Sequence, residues 1–138
     1  MFKQITFALL AIIASSVTAA KADDANKHGE SKITSSVVKS GQFEGRNRHV
    51  TTGGVSIVQT ASGYVAILES NFSLDGAPAP TLGFGNNRFD KETEFTKLES
   101  KNGLQVYAIP DHIDPSDYSK FYVWCADFNV ALGVSSLK

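Results

Sequence analysis

Turn signals recur from Gly41 onwards at intervals of about 8–12 residues, and this spacing limits the fold more than any other feature of the chain. Short apolar runs lie between them, and residues 101–103, Lys-Asn-Gly, hold the strongest hairpin signal. No stretch of that part has the period of a long amphipathic helix. We therefore expect an all-β domain, an antiparallel β-sandwich or flattened barrel of about eight short strands with one short helical turn.

The expected strands follow from alternating apolar residues and β-branched or aromatic runs. A glycine pair at Gly53-Gly54 predicts a bulge or sharp bend within the second run, and residues 61–63 predict a hairpin loop. The predicted strands are Gly41–Phe43, His49–Thr60, Tyr64–Glu69, Thr81–Gly85, Glu94–Leu98, Leu104–Ile109, Lys120–Cys125 and Phe128–Val134.

One short helical turn is expected between Pro110 and Ser119. Asp114 can cap it, Pro115 suits the first helical position, and Asp117 lies where a capping box places an acid. The segment is too short to be more than a connector between strands.

The first residues have the layout of a secretory signal peptide. Lys3 gives a positive start, residues 5–17 are apolar, and residues 20–22 form an A-x-A pattern. The apolar run is shorter than the ~20 residues that cross a bilayer, so no membrane span is expected after cleavage. We predict a signal peptide over 1–22, a flexible leader over 23–40 and one domain over 41–138, in a periplasmic or secreted protein.

The charge balance excludes some classes of partner. The chain has 13 basic and 14 acidic residues, a formal net charge of −1, and the basic residues are spread along it. Neither nucleic acid nor an anionic membrane surface is therefore an expected partner. A phosphate-binding loop and a serine-nucleophile elbow are also missing from the sequence.

The single cysteine, Cys125, decides which chemistry the chain can support. No intramolecular disulfide is possible, and an odd cysteine in an oxidising compartment must be buried, paired with another chain, or used. On an extended strand Phe121, Val123 and Cys125 share one face, and Tyr122 and Trp124 share the other. If the first face is the core, the thiol is a small buried hydrophobe; if the second is, the thiol lines a surface or cleft.

Two histidines are candidate partners for this sulfur. His112 precedes the last two strands and His49 begins an earlier one, whereas Asp127 near the cysteine would disfavour a thiolate. Haem ligation would use Cys125 with either histidine, although no C-x-x-C-H attachment motif exists. No metal site is expected, because the chain has neither paired cysteines nor an H-x-x-x-H pattern.

A set of residues in the C-terminal half follows the pattern of a known family: Leu98, the run Gly103–Tyr107, Ile109-Pro110, Asp114, Tyr118, Val123-Trp124-Cys125, Phe128, Gly133 and Leu137. Through them the chain resembles the electron-transfer DM-thirteen domain family, and a weaker likeness extends forward to Gly41. Two features depart from the family pattern: Asn71 replaces an acid, and Gly76–Leu82 replaces a Gly-Pro-Asp-Leu run.

The resemblance implies an all-β module, often extracytoplasmic, with a role in electron transfer for the near-terminal cysteine. It gives Cys125 as the redox thiol; the partnership of His49 or His112 with that sulfur at a prosthetic group rests on the residues and not on the resemblance. The expected partner is a redox protein or an envelope protein. The alternative is a non-catalytic β-sandwich that binds or supports a partner at the cell envelope; neither implies a stand-alone enzyme.

Overall fold

The computed structural model describes residues 34–138. Its strands are β1 (Ser36–Gly45), β2 (Thr51–Thr52), β3 (Gly54–Thr60), β4 (Gly63–Leu68), β5 (Ser73–Leu74), β6 (Pro80–Gly85), β7 (Thr96–Lys97), β8 (Gln105–Ala108), β9 (Lys120–Cys125) and β10 (Val130–Ser136). Two 3₁₀ turns, Lys91–Thr93 and Pro115–Asp117, are the helical elements of this part of the chain.

Eight of the strands form one antiparallel sheet in the order β7-β6-β9-β10-β1-β3-β4-β8. The sheet curls until it is nearly closed, and β2 and β5 form a separate pair. The all-β prediction is therefore confirmed, in its barrel-like form. Within residues 34–138 no helix has the length and apolar character that a membrane crossing requires.

Two hairpins lie where the sequence predicts them. β3 and β4 pair from Val55↔Leu68 to Thr60↔Gly63, so the loop is Ala61-Ser62. β9 and β10 pair from Cys125↔Val130 outward, so the second strand begins two residues later than the predicted Phe128, which lies in the turn. The bend between them places Asn129 in the left-handed region, at φ 57°, a conformation that asparagine tolerates better than most residues.

The hairpin predicted at Asn102-Gly103 was wrong. Gly103 does make a turn, with φ 88°, but the strands on its two sides do not pair with each other. β7 pairs with β6 and β8 pairs with β4, so the two strands lie at opposite edges of the sheet. Local turn chemistry predicted the bend correctly, but long-range pairing decided which strands meet.

The first strand begins earlier than expected. β1 starts at Ser36, so the predicted flexible leader was wrong for residues 36–40. Its polar residues are held because Val37 and Ser40 pair with β3, and Ser40 also exchanges backbone hydrogen bonds with Lys138. The predicted signal peptide and the leader up to Ile33 lie outside the described residues.

The short turn between β8 and β9 follows its prediction closely. It spans Pro115–Asp117, and the Asp114 carboxylate accepts the Ser116 N–H at 2.9 Å. The second turn, Lys91–Thr93, was missed. The Asp90 carboxylate caps it in the same way, by accepting the Glu92 N–H at 3.0 Å. The preference of Asp for the N-cap position is therefore a sequence signal that could have predicted this turn.

The core fills the inside of the curled sheet. It contains packed aromatic rings: Phe121 packs edge-on against Phe84 at 5.0 Å between ring centres, and Phe43 packs edge-on against Phe72 at 5.4 Å. Burying each such side chain contributes about 1.5–3 kcal/mol. No disulfide is possible with one cysteine, so burial holds this fold.

Candidate functional site

Cys125 is the last residue of β9, and its side chain points into the core. Phe121, Val123 and Cys125 are all buried on that inner face, and Cys125 is only 1 % exposed. Its thiol donates a hydrogen bond to the Pro78 carbonyl oxygen, 3.2 Å from the sulfur. Of the two orientations left open by the sequence, the structure therefore adopts the one that encloses the sulfur.

Residues 75–79, named here the covering loop, precede β6 and bring the Pro78 carbonyl to this sulfur. Pro78 and Ala79 are exposed to solvent although Pro78 contacts the buried thiol. Two of its residues have positive φ: Gly76 at 121° and Ala79 at 49°, a left-handed conformation that costs energy for a residue with a Cβ. The sulfur is thus shielded, yet the carbonyl that it binds belongs to an exposed residue.

Asp75 anchors the first end of the covering loop. Its carboxylate accepts the Val50 N–H at 3.0 Å and lies 3.0 Å from His49 Nδ1, while its own N–H donates to the Val50 carbonyl. The Val50 N–H and then the His49 ring hold the pKa of Asp75 below its ordinary value of 3.8. At the other end of the loop, the Ala79 carbonyl accepts the Ala126 N–H at 3.1 Å.

The structure places the two histidines differently. His49 ends a turn over residues 46–49, in which the Arg46 N–H donates to the Leu132 carbonyl on β10. This contact places His49 at the same end of the sheet as Cys125. The His49 ring itself is paired with Asp75. His112 is exposed in the segment that precedes β9, whereas Cys125 ends that strand. The six-residue strand between them is about 17 Å long at 3.3 Å per residue, so His112 and Cys125 are not brought together.

The residues around Cys125 do not fit a haem. A haem ligand needs an open position beside its donor atom, whereas this sulfur is enclosed by the core and donates to Pro78. His49 is engaged by Asp75, and His112 lies at the other end of the strand. In residues 34–138 there is also no group of three histidine, cysteine or acidic side chains that could hold a metal ion.

The sequence analysis missed an open cavity of about 450 Å³ at the end of the sheet opposite the sulfur. Residues 86–91 and Tyr118 line it. Partial burial and the carboxylate of Asp90, 3.4 Å from the Tyr118 hydroxyl, raise the pKa of this tyrosine. Residues 86–91 are mostly polar or charged, and nothing in their sequence indicates that this loop folds back towards Tyr118.

The outer face of β9 is also covered. Trp124 stacks on Phe89 with 4.2 Å between ring centres, and Phe89 meets Tyr122 edge-on at 5.4 Å. The Trp124 Nε1 atom is buried and has no hydrogen-bond partner within residues 34–138. The Trp-Cys pair therefore places an aromatic ring outside the sheet and a sulfur inside it.

Residues 42–137 match the sequence profile of a known family, described as electron transfer DM13. The chain belongs to the electron transfer DM13 family. The match spans nearly all of the described DM13 domain, including β9 and Cys125, and it confirms the resemblance seen in the sequence. No curated protein and no solved structure matches the chain.

Proposed function

We propose that this protein is an exported electron-transfer module of the DM13 family, with Cys125 as its redox group. Membership of that family over residues 42–137 carries the proposal. Cys125 is the one cysteine of the chain, so thiol chemistry in this domain must pass through it. Because the sulfur is buried, the covering loop has to move before a reactant reaches it.

A single thiol limits the reaction. Cys125 loses its proton, attacks one sulfur of a partner disulfide and forms a mixed disulfide, while the partner's sulfur–sulfur bond breaks. The released partner thiolate takes up a proton, so atoms and charge balance. A thiolate of a second protein, the electron donor, can then attack the first partner's sulfur in the mixed disulfide. This releases the Cys125 thiolate, and two electrons have passed from the donor thiol to the first partner's disulfide. The redox partner on this proposal is a thiol–disulfide protein.

Export rests on the sequence alone. A positive start, an apolar run too short to span a bilayer and an A-x-A pattern at residues 20–22 support a cleaved signal peptide. A periplasmic or secreted location follows from this proposal. Amino-terminal sequencing of the protein recovered outside the cytoplasm tests it, with Asp23 as the expected first residue.

The redox role is tested by the rate at which a small thiol reagent labels Cys125 in the folded protein. We expect native labelling that is slower than in denaturant but complete, and a mixed disulfide with a small aromatic disulfide, detected by mass. Cys125→Ser is the control that must show neither product. Native protein that stays unlabelled until it unfolds globally would contradict a redox use of this sulfur.

The second candidate is a non-catalytic β-module that binds or supports a partner at the cell envelope. One observation favours it: Cys125 is 1 % exposed and its thiol is already hydrogen-bonded, as expected of a structural residue. Neither candidate makes the protein a stand-alone enzyme. The two differ in what Cys125→Ser removes: electron exchange with disulfides in the first, and some stability alone in the second.

A further inference from the structure

The free edge of β8 (Gln105–Ala108) carries a surface that the redox proposal does not use. β8 pairs with β4, and it is the last strand of the sheet among the described residues. The Ile109 N–H donates to the Tyr64 carbonyl at the end of β8. In an antiparallel pair every second residue bonds to the neighbouring strand, so Tyr107 and Gln105 also bond to β4. The backbone groups of Val106 and Ala108 therefore point away from β4 and towards the open edge.

Apolar side chains continue this edge across the outer face of the sheet. Leu104 is 64 % exposed and Val106 is 60 % exposed. The register places Val106 beside Ile67 and Ala108 beside Val65 on β4. The apolar row continues through Val58 on β3, which is itself buried, to Val37 on β1, which is 61 % exposed. An apolar face that ends at unpaired backbone groups is the combination that pairs with another strand.

The opposite edge of the sheet is guarded, and β8 is not. β7 has two residues, one of them Lys97, with Glu94 and Glu99 close by in sequence. Short length and charge are the usual protections of an edge strand. By contrast, residues 103–110, which contain β8, have no charged side chain.

We propose that β8 pairs edge to edge with β8 of a second copy of this chain, in antiparallel register about a two-fold axis at Tyr107. Val106 then lies opposite the partner's Ala108, and their free backbone groups bond in both directions. The charges at the two ends complement each other. Lys101 precedes the strand and Asp111 follows it, so antiparallel pairing brings the basic end of each copy towards the acidic end of its partner.

Sedimentation of the purified protein over a range of concentrations tests this pairing, in reductant so that dimers linked through Cys125 are not counted. We expect a reversible dimer, which Val106→Lys converts to a monomer. Val50→Lys is the matched control: Val50 is 62 % exposed but lies beside β2, away from the apolar row, and its dimer should persist. Circular dichroism confirms that both variants fold.

Hydrogen exchange supplies a readout that does not depend on substitution. The Val106 and Ala108 amides should exchange quickly in dilute protein and more slowly as concentration rises, whereas the Tyr107 amide, bonded to β4, should stay protected throughout. A wild-type protein that is monomeric at every concentration overturns the proposal. Equal dimerisation of Val106→Lys and Val50→Lys overturns it too. Neither result bears on the redox role of Cys125.

Discussion

The two ends of the curled sheet are closed by opposite charges. At the sulfur end, the Asp75 carboxylate accepts the Val50 N–H and anchors the covering loop. At the far end, the Lys39 ammonium donates to carbonyl oxygens of the Pro115–Asp117 turn and its C-cap, at 3.1 Å to Pro115 and 2.7 Å to Tyr118. At each end one charged side chain bonds backbone groups: the Asp75 carboxylate accepts an N–H at the sulfur end, and the Lys39 ammonium donates to carbonyl oxygens at the far end.

The packing beneath the two ends also differs. Towards the far end Phe84 contacts Phe121 and Tyr118 within a connected group of rings. At the sulfur end the inner face of β9 finishes with the small side chain of Cys125, under a loop whose Pro78 and Ala79 are exposed. We therefore expect local opening to be easier at the sulfur end than at the far end.

The largest difference between the two ends is expected in the core of β9. Phe121→Ala removes a fully buried ring and should lower the free energy of unfolding by about 3–5 kcal/mol. Cys125→Ala, on the same inner face, should cost about 1 kcal/mol because it removes one atom. Urea unfolding of the two variants measures both, and equal losses would contradict a difference in packing between the ends.

Loss of the far-end cation should have the next largest effect. Lys39→Met keeps the apolar stem but leaves the carbonyls of Pro115 and Tyr118 without their charged donor, at a cost of about 2 kcal/mol in unfolding free energy. Lys97→Met on the exposed edge strand β7 is the control and should change stability by less than about 0.5 kcal/mol. If the two variants match, Lys39 does not close that end.

Release of the covering loop is expected to expose the sulfur without unfolding the domain. Asp75→Asn removes the charge that holds the Val50 N–H and the His49 ring, so native labelling of Cys125 should become several-fold faster. Asp114→Asn changes an equally exposed cap at the far end and should leave the labelling rate unchanged. A similar acceleration in both variants would mean that global unfolding, and not the loop, controls access.

The smallest effect concerns pH. Backbone hydrogen bonds from Val50 and Ser116 hold the pKa values of Asp75 and Asp114 below the ordinary value of 3.8. A carboxyl with a lowered folded-state pKa gives its full stabilisation above 3.8 and loses it as the pH falls through the folded value. Stability should therefore decrease in acid below 3.8, and less steeply in Asp75→Asn. An unchanged slope would show that the Asp75 bonds do not contribute.

The sequence predicted the class of fold, because alternation and turn residues act over a few neighbours. The loop at Ala61-Ser62 and the cap at Asp114 are examples. The sequence could not predict that β7 and β8, the strands before and after Gly103, lie at opposite edges of the sheet. Their positions depend on which distant strands they pair with. Residues 36–40 of β1 were predicted as a flexible leader for the same reason. Several of them are polar, and the pairing with distant β3 that orders them cannot be read from their own sequence.

The candidate site was only partly visible in the sequence. The Trp-Cys pattern indicated Cys125 and the family, but alternation alone could not decide which face of β9 is buried. The importance of Asp75 was also hidden, because Val50 and His49 reach it across 25 and 26 positions of chain. A separation in sequence tells little about distance when the intervening strands fold back.

The stacking of Trp124 on Phe89 gives the protein a built-in optical reporter. Trp124 is the chain's one tryptophan, so all indole emission arises from a single known position on the outside of β9. Phe89 also lines the open cavity beside Tyr118. A molecule that enters that cavity, or a shift of the loop that carries Phe89, would change the colour and intensity of this emission with no dye attached.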